Sequence, residues 1–150
     1  MVLNQYGHVA QHCWVDIPRH FPNVVLDEFV IMPNHMHGII VLLDANHIAV
    51  GATHASPLQN NDSISTRPQG PKKQSISSIV GSFKSAVTKR VNQMRDTPGA
   101  KLWQRNYWEH IIRDENELKR IREYIANNPL QWEWDRENPN ADNSLAEAGI

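Results

Sequence analysis

Two histidines separated by a single residue stand inside an apolar stretch and could hold a metal ion. His35 and His37 lie within residues 29–43, where the surrounding side chains are typical of a buried strand. Side chains at positions i and i+2 of a strand share a face, so the two imidazoles should project together while Met36 points away. Two neutral imidazoles placed in this way can chelate one divalent ion. The alternative is a pair of unrelated histidines that hydrogen-bond to the backbone at a strand edge.

A tyrosine in the last third of the chain could supply a nucleophile. Tyr124 falls in a predicted helix, and Asn128 follows on the same helical face. Considered alone, Tyr124 is more typical of a core residue packed beside Ile121 and Ile125. Beside a metal ion and a basic groove, its hydroxyl could instead form a covalent phosphodiester linkage with DNA. Because the unperturbed pKa of tyrosine is about 10, a base, a metal or a nearby cation would have to assist the attack.

The elements that must position these side chains follow from hydrophobic periodicity and from turn residues. Periodicity predicts helices over residues 3–17, 75–95 and 114–129, the last one capped by Asp114 and ended by Pro129. Alternation and β-branched residues predict strands over residues 24–32, 36–43 and 105–114. The first two strands should form a hairpin, and the third should carry Trp108, His110 and Ile112 on one face.

One segment differs in composition from the rest of the chain. Residues 44–75 are polar and rich in Gly, Pro, Ser and Asn, which is typical of a mobile insertion within a domain. Too little chain lies on either side for two domains, so residues 1–150 are predicted to form one domain. The element order favours the α+β class, an antiparallel sheet with helices packed on one face.

Composition narrows the class of protein. The 150 residues are 40% hydrophobic and 21% charged, as in ordinary globular domains. No stretch is long and apolar enough for a membrane span, and the N-terminal residues do not resemble a signal peptide. The single cysteine, Cys13, excludes a disulfide framework and a thiolate zinc site. The sequence therefore predicts a cytoplasmic protein without a membrane partner.

Charge is distributed unevenly along the chain. Residues 67–105 contain nine basic side chains and one acidic side chain, although the whole chain carries a net charge of −1. Such a basic segment suits a polyanion, and a solvated helix face with ordinary lysines is the alternative. The candidate DNA contacts in this segment are Lys84, Lys89, Arg90, Arg95 and Arg105. Trp103, Tyr107 and Trp108 could stack bases, although core packing is the more common role for such residues.

Four separated motifs resemble one family of DNA-processing enzymes. They are MPNHMHGII, SFKSAVTKR, LWQRNYWEHIIRDENEL and REYIANNP, which occur in that order. Together they resemble the REP-associated tyrosine transposases, IS200-like members of the single-tyrosine HUH nucleases that process single-stranded DNA. The resemblance extends from about residue 3 to residue 139. His35-Met36-His37 fits the family's pair of histidines around a bulky hydrophobic residue.

The resemblance implies a fold, a metal site and a nucleophile. It implies a ferredoxin-like sheet whose usual first strand is missing here, because the chain begins inside the region that follows that strand. It also implies that His35 and His37 bind Mg²⁺ or Mn²⁺ and that Tyr124 attacks the DNA phosphate. Asn128 would complete the metal site, and Asn127 fits the spacing less well. The expected intermediate is a 5′-phosphotyrosine, from which the strand is rejoined.

Two other functions fit the same residues. One is a shortened or domesticated module that binds DNA hairpins without cutting them. The other is a metal hydrolase in which His35 and His37 activate water and Tyr124 is structural. The expected partner is single-stranded or hairpin DNA. Unpaired strand edges invite pairing with a second chain, so the sequence predicts either marginal stability or a homodimer.

Overall fold

The structure, a computed structural model, describes residues 2–43, 74–132 and 138. Its elements in chain order are α1 (Gln5–Val15), α2 (Ile17–His20), β1 (Val24–Ile31), β2 (Met36–Leu42), α3 (Ile76–Arg95) and α4 (Glu115–Gln131). The α+β class is confirmed. Nearly all of the predicted mobile insertion over residues 44–75 lies outside the described residues. Within the described ranges, no helix is long and apolar enough to cross a membrane.

An irregular antiparallel hairpin forms the centre of the fold. β1 pairs with β2, with Leu26 opposite Ile40 and Phe29 opposite Gly38. Asp27 and Glu28 therefore lie opposite the single residue Ile39, which is the two-against-one arrangement of a β-bulge. The extra residue brings Leu26 and Phe29 to the same face, although three positions separate them in sequence.

The apolar core lies between that face and two helices. Its buried residues are Ala10, Cys13, Trp14, Ile17, Val24, Ile79, Phe83, Val87 and Val91. The Trp14 ring of α1 lies 5.4 Å from the Phe83 ring of α3 and 6.0 Å from the Phe29 ring of β1, measured between centroids. A Cβ atom on Gly38 would clash with the Trp14 indole, so glycine is required where the indole rests on β2.

The fourth helix covers the opposite face of the hairpin. Gly38 and His37 are adjacent in β2 and therefore point to opposite faces. Trp14 of α1 rests on Gly38, whereas Tyr124 of α4 lies against His37. The helices thus lie on both faces, whereas the sequence pattern placed them on one. The reason is that β1 and β2 carry apolar residues on both faces, including buried Val24 on one and buried Ile39 on the other.

Two predicted helix boundaries are wrong. The helix predicted over residues 3–17 is divided at Asp16 into α1 and α2, and α2 continues to His20. The last helix does not end at Pro129 but continues to Gln131. Proline lacks an N–H and therefore removes one hydrogen bond, but its fixed φ is helical, and the last turn can continue through it. The predicted cap is confirmed, because Asp114 Oδ1 accepts the Glu117 N–H at 2.9 Å.

The third predicted strand is also wrong. Residues 105–114 form no strand, and the described part of the sheet contains β1 and β2 alone. Alternating apolar residues become a strand only when a neighbouring strand supplies the ladder of hydrogen bonds, and local sequence cannot show whether that neighbour is in place. Trp108 and Ile111 are consequently 84% and 77% exposed.

Candidate active site

The two histidines meet at the start of β2, as their spacing predicts. His37 is the second residue of the strand and His35 immediately precedes it. Their ring centroids are 5.0 Å apart. Met36 points to the other face, where it packs against the apolar core. The His35 carbonyl accepts the Met32 N–H at 2.9 Å, which closes the hairpin turn and anchors the backbone of the pair.

A neighbouring amide orients the first of these rings. His35 Nδ1 lies 2.8 Å from Asn34 Oδ1. An amide oxygen can only accept a hydrogen bond, so Nδ1 must be the donor. In the neutral ring, Nε2 then carries the lone pair, which is the form in which a histidine binds a metal ion.

Helix α4 and the residue that follows it bring a tyrosine and a tryptophan to the histidine pair. The Tyr124 ring lies 5.3 Å from the His37 ring, and the Trp132 ring lies 6.1 Å from the His35 ring, measured between centroids. Asn128 lies midway between these two residues in sequence and on the same face, because residues four apart share a helical face. One face of α4 therefore spans both histidines. Tyr124 is 52% exposed, so a large substrate can reach it.

Asn128 carries a buried polar atom that has no partner among the described residues. Its side chain is buried, and its Oδ1 accepts no hydrogen bond from them. A buried acceptor without a partner is costly, and a cation placed beside it would be stabilised. In the part of the chain that the structure describes, no group of three or more His, Cys, Asp or Glu could hold a metal ion. Two imidazoles and one amide oxygen remain, and this donor set suits a divalent cation.

An ion pair fixes α4 against the hairpin. Arg122 Nε donates to Asp27 Oδ1 at 3.0 Å, and Nη2 donates to Oδ2 at 2.6 Å. The side-chain hydrogen bonds from Arg122, with help from the Glu28 N–H, hold the pKa of Asp27 below its usual value. Sequence periodicity did not identify this pair, since 95 positions separate its members. The sequence signal was two acidic residues, Asp27 and Glu28, inside an apolar strand.

Three of the predicted DNA-binding cations make contacts within the protein. Lys84 Nζ donates to the carbonyls of Gln104 and Asn106, both at 2.8 Å. Arg90 Nη1 lies 3.2 Å from Cys13 Sγ, and Arg95 lies over the Tyr6 ring at 5.6 Å from its centroid.

The two remaining predicted cations, Lys89 and Arg105, are exposed. Lys84 and Lys89 also line a groove of about 660 Å³ beside α3. Since α3 and α4 lie on opposite faces of the hairpin, the structure does not bring the α3 cations to Tyr124. Their contact with DNA stays a prediction.

The chain is similar to one protein family and to one protein of unassigned function. Residues 64–128 match the model of a family described as "Transposase IS200 like". That range includes α3, Tyr124 and Asn128, but not the two histidines. An uncharacterized protein from Haemophilus influenzae is 45% identical over 136 residues, which are 91% of this chain and 71% of that protein. No solved structure matches the chain.

Proposed function

We propose that this chain, whose residues 64–128 match the family of IS200-like transposases, cuts and rejoins single-stranded DNA with Tyr124 as its nucleophile. The family match supports a transposase-type function in general. The finer mechanism rests on one observation, which is the placement of Tyr124 against His37 with the unpartnered Asn128 Oδ1 on the next turn.

The proposed step exchanges one phosphate ester for another. Tyr124 Oη attacks the phosphorus of a DNA phosphodiester, forming an O–P bond and breaking the bond to the 3′-oxygen. The tyrosine loses its proton to solvent and the leaving 3′-oxygen takes one up, so the products are a 5′-phosphotyrosine and a free 3′-hydroxyl. Because the number of phosphodiester bonds is conserved, attack by another 3′-hydroxyl rejoins the strand.

His35, His37 and Asn128 would hold Mg²⁺ or Mn²⁺, which neutralises charge on the scissile phosphate when it is bound. The hydrogen bond from His35 to Asn34 keeps one ring in the metal-binding tautomer. The edge-on contact with His37 directs the Tyr124 ring toward the same place. The ion pair between Asp27 and Arg122 holds the helix that carries the nucleophile.

Exposed cations would bind the DNA backbone outside the reacting phosphate. Lys89 and Arg105 extend from the basic segment and are exposed. Lys84 would have to leave the carbonyls of Gln104 and Asn106 before it could bind phosphate. Arg90 and Arg95 are exposed, and a guanidinium has five donors, so each can bind phosphate beside its present contact. We therefore expect Lys84 to contribute least to the counterion release from this segment.

A covalent adduct between protein and DNA is the direct test. Hairpin DNAs with single-stranded flanks, labelled at the 3′ end, are incubated with the protein and Mn²⁺ and separated under denaturing conditions. The 3′ label stays with the fragment whose 5′ phosphate joins the tyrosine. Tyr124→Phe should abolish the adduct while DNA binding survives, because only a hydroxyl is lost. Tyr6→Phe and Tyr107→Phe are matched controls, since the chain has three tyrosines.

The other outcomes identify the competing functions. Binding of hairpin DNA by the wild-type protein, without cutting or adduct, would indicate the non-catalytic module. Cut DNA without an adduct would indicate a hydrolase that uses water. An adduct that persists in Tyr124→Phe would assign the nucleophile to another residue.

A further inference from the structure

We propose that the Trp108 indole is a stacking platform for an unpaired DNA base close to the phosphate that Tyr124 attacks. The proposal rests on the function proposed above and adds a binding residue to it. Trp108 is 84% exposed, although it belongs to the type of residue that gains most from burial. Exposed tryptophan offers a flat surface on which any base can stack, and such stacking is the usual source of affinity for single strands.

The indole is supported from one side. The Trp108 and His110 rings are nearly parallel, with an interplanar angle of 8° and centroids 5.7 Å apart. This offset stack covers part of one indole face and leaves the other available to a base.

The supporting ring is itself anchored to α4. His110 Nε2 lies 2.8 Å from Glu117 Oε1, and Glu117 Oε2 accepts the Arg113 N–H at 2.8 Å. Both carboxylate oxygens are therefore engaged within the protein. A platform held in this way loses little conformational freedom when a base binds.

The anchor and the nucleophile lie on one face of the same helix. Glu117 and Tyr124 are seven residues apart in α4, which is close to two turns. The separation along the helix axis is about 10 Å. His110 contacts Glu117, and Trp108 stacks on His110. A single strand whose phosphate reaches Tyr124 can therefore place a base a few nucleotides away against the Trp108 indole.

The local charge favours DNA over a protein partner. Residues 101–113 contain Lys101, Arg105 and Arg113 against the single carboxylate of Glu109. The carboxylates at the start of α4 are engaged within the protein. Glu117 accepts from His110 and from the Arg113 N–H. Asp114 accepts the Glu117 N–H, and Glu115 lies 3.8 Å from Arg122. A negatively charged strand can therefore approach the indole.

The test compares a strand that has bases with one that has none. Binding to oligothymidylate, and to an abasic oligomer of equal length, is measured by fluorescence anisotropy in the Tyr124→Phe background, where no chemistry occurs. Trp108→Ala should weaken binding of oligothymidylate by roughly 5- to 150-fold, the range for loss of one stacked base. Binding of the abasic oligomer should hardly change.

Three controls separate stacking from other causes. Ile111→Ala removes another exposed apolar side chain of the same segment, 77% exposed, and should leave both affinities unchanged. Trp108→Phe keeps an aromatic face and should restore most of the oligothymidylate affinity. The slope of log affinity against log salt should be the same in Trp108→Ala and wild type, because no phosphate contact is lost.

Several results would overturn the inference. Equal loss for both oligomers, or an altered salt slope, would show that Trp108 acts through the backbone contacts. No change in oligothymidylate binding, together with altered sedimentation of Trp108→Ala, would make the surface a contact between proteins. If wild type forms the Tyr124 adduct while Trp108→Ala binds normally, this inference alone fails. If wild type binds no single strand, both proposals fail.

Discussion

The two faces of the hairpin are built from different interactions. On the α1 and α3 face, interlocking aromatic rings and fully buried aliphatic side chains form one continuous core. On the α4 face, two helix residues are buried, Ile125 and Asn128, and one of them is polar. There the ion pair of Asp27 with Arg122 and the ring contact of Tyr124 with His37 connect helix to strand.

The first face supplies most of the stability of the fold, whereas the contacts on the second face fix the orientation of α4. Burial of apolar surface is non-directional and supplies most of the favourable free energy of folding. A bidentate ion pair and a ring contact contribute less energy, but they define an orientation. We therefore expect changes on the α1 and α3 face to act on stability, and changes on the α4 face to act on the site.

The largest effect should come from emptying the core of the first face. Ile79 is completely buried, so Ile79→Ala should lower the free energy of unfolding by about 2–5 kcal/mol through lost burial and a residual cavity. Urea unfolding followed by circular dichroism measures the change. Ser82→Ala, on the exposed side of the same helix, should stay within about 0.5 kcal/mol of wild type. Similar unfolding midpoints for the two variants would show that burial on the α1 and α3 face is not the main source of stability.

Loss of a proposed metal ligand should weaken metal binding and leave stability almost unchanged. His37→Ala removes one of the donors proposed for Mn²⁺, and we expect its affinity for that ion to fall by at least about tenfold, with little change in the unfolding midpoint. Titration calorimetry with Mn²⁺ gives the affinity. His8→Ala is the matched control, because His8 is exposed on α1 at the opposite face. Equal Mn²⁺ affinities in wild type and His37→Ala would remove the metal site from the proposal.

The smallest loss of stability among residues that join elements should come from the ion pair that positions α4. Asp27→Asn should reduce the rate of adduct formation more than it reduces stability, since misplacement of a nucleophile slows reaction strongly. The pKa of Asp27 in the folded protein lies below its unfolded value of about 3.9. Stabilisation by the pair is therefore complete above that pH and is lost as the pH falls through the folded pKa.

Unfolding midpoints measured across the acid range can check this dependence. Wild type should be more stable than Asp27→Asn near neutral pH, and the two should converge in acid. Glu28→Gln removes an exposed carboxylate at the neighbouring position and should show a weaker pH effect. A constant difference between wild type and Asp27→Asn at every pH would show that the carboxylate charge is not the cause.

Much of the fold was predictable because local patterns encode it. The hairpin at residues 24–43 and the helix over 75–95 follow from alternation and from a helical stripe, and both are confirmed within one or two residues. The shared face of His35 and His37 follows from strand geometry and is also confirmed. The strand expected over 105–114 could not be predicted in this way, because a strand depends on a partner that local sequence does not reveal.

The sequence was sufficient to predict the helices and strands whose apolar residues recur with a regular period. It also predicted which residues share a face of one element, such as Tyr124 and Asn128 on the last helix. Only the tertiary structure brought that face to the histidines of β2, some ninety residues earlier in the chain. The bulge at Asp27 and Glu28, which turns one carboxylate toward Arg122, likewise arose from the pairing of two strands. Periodicity reports which side chains lie on one side of an element, whereas the register and packing between elements depend on contacts between residues far apart in the chain.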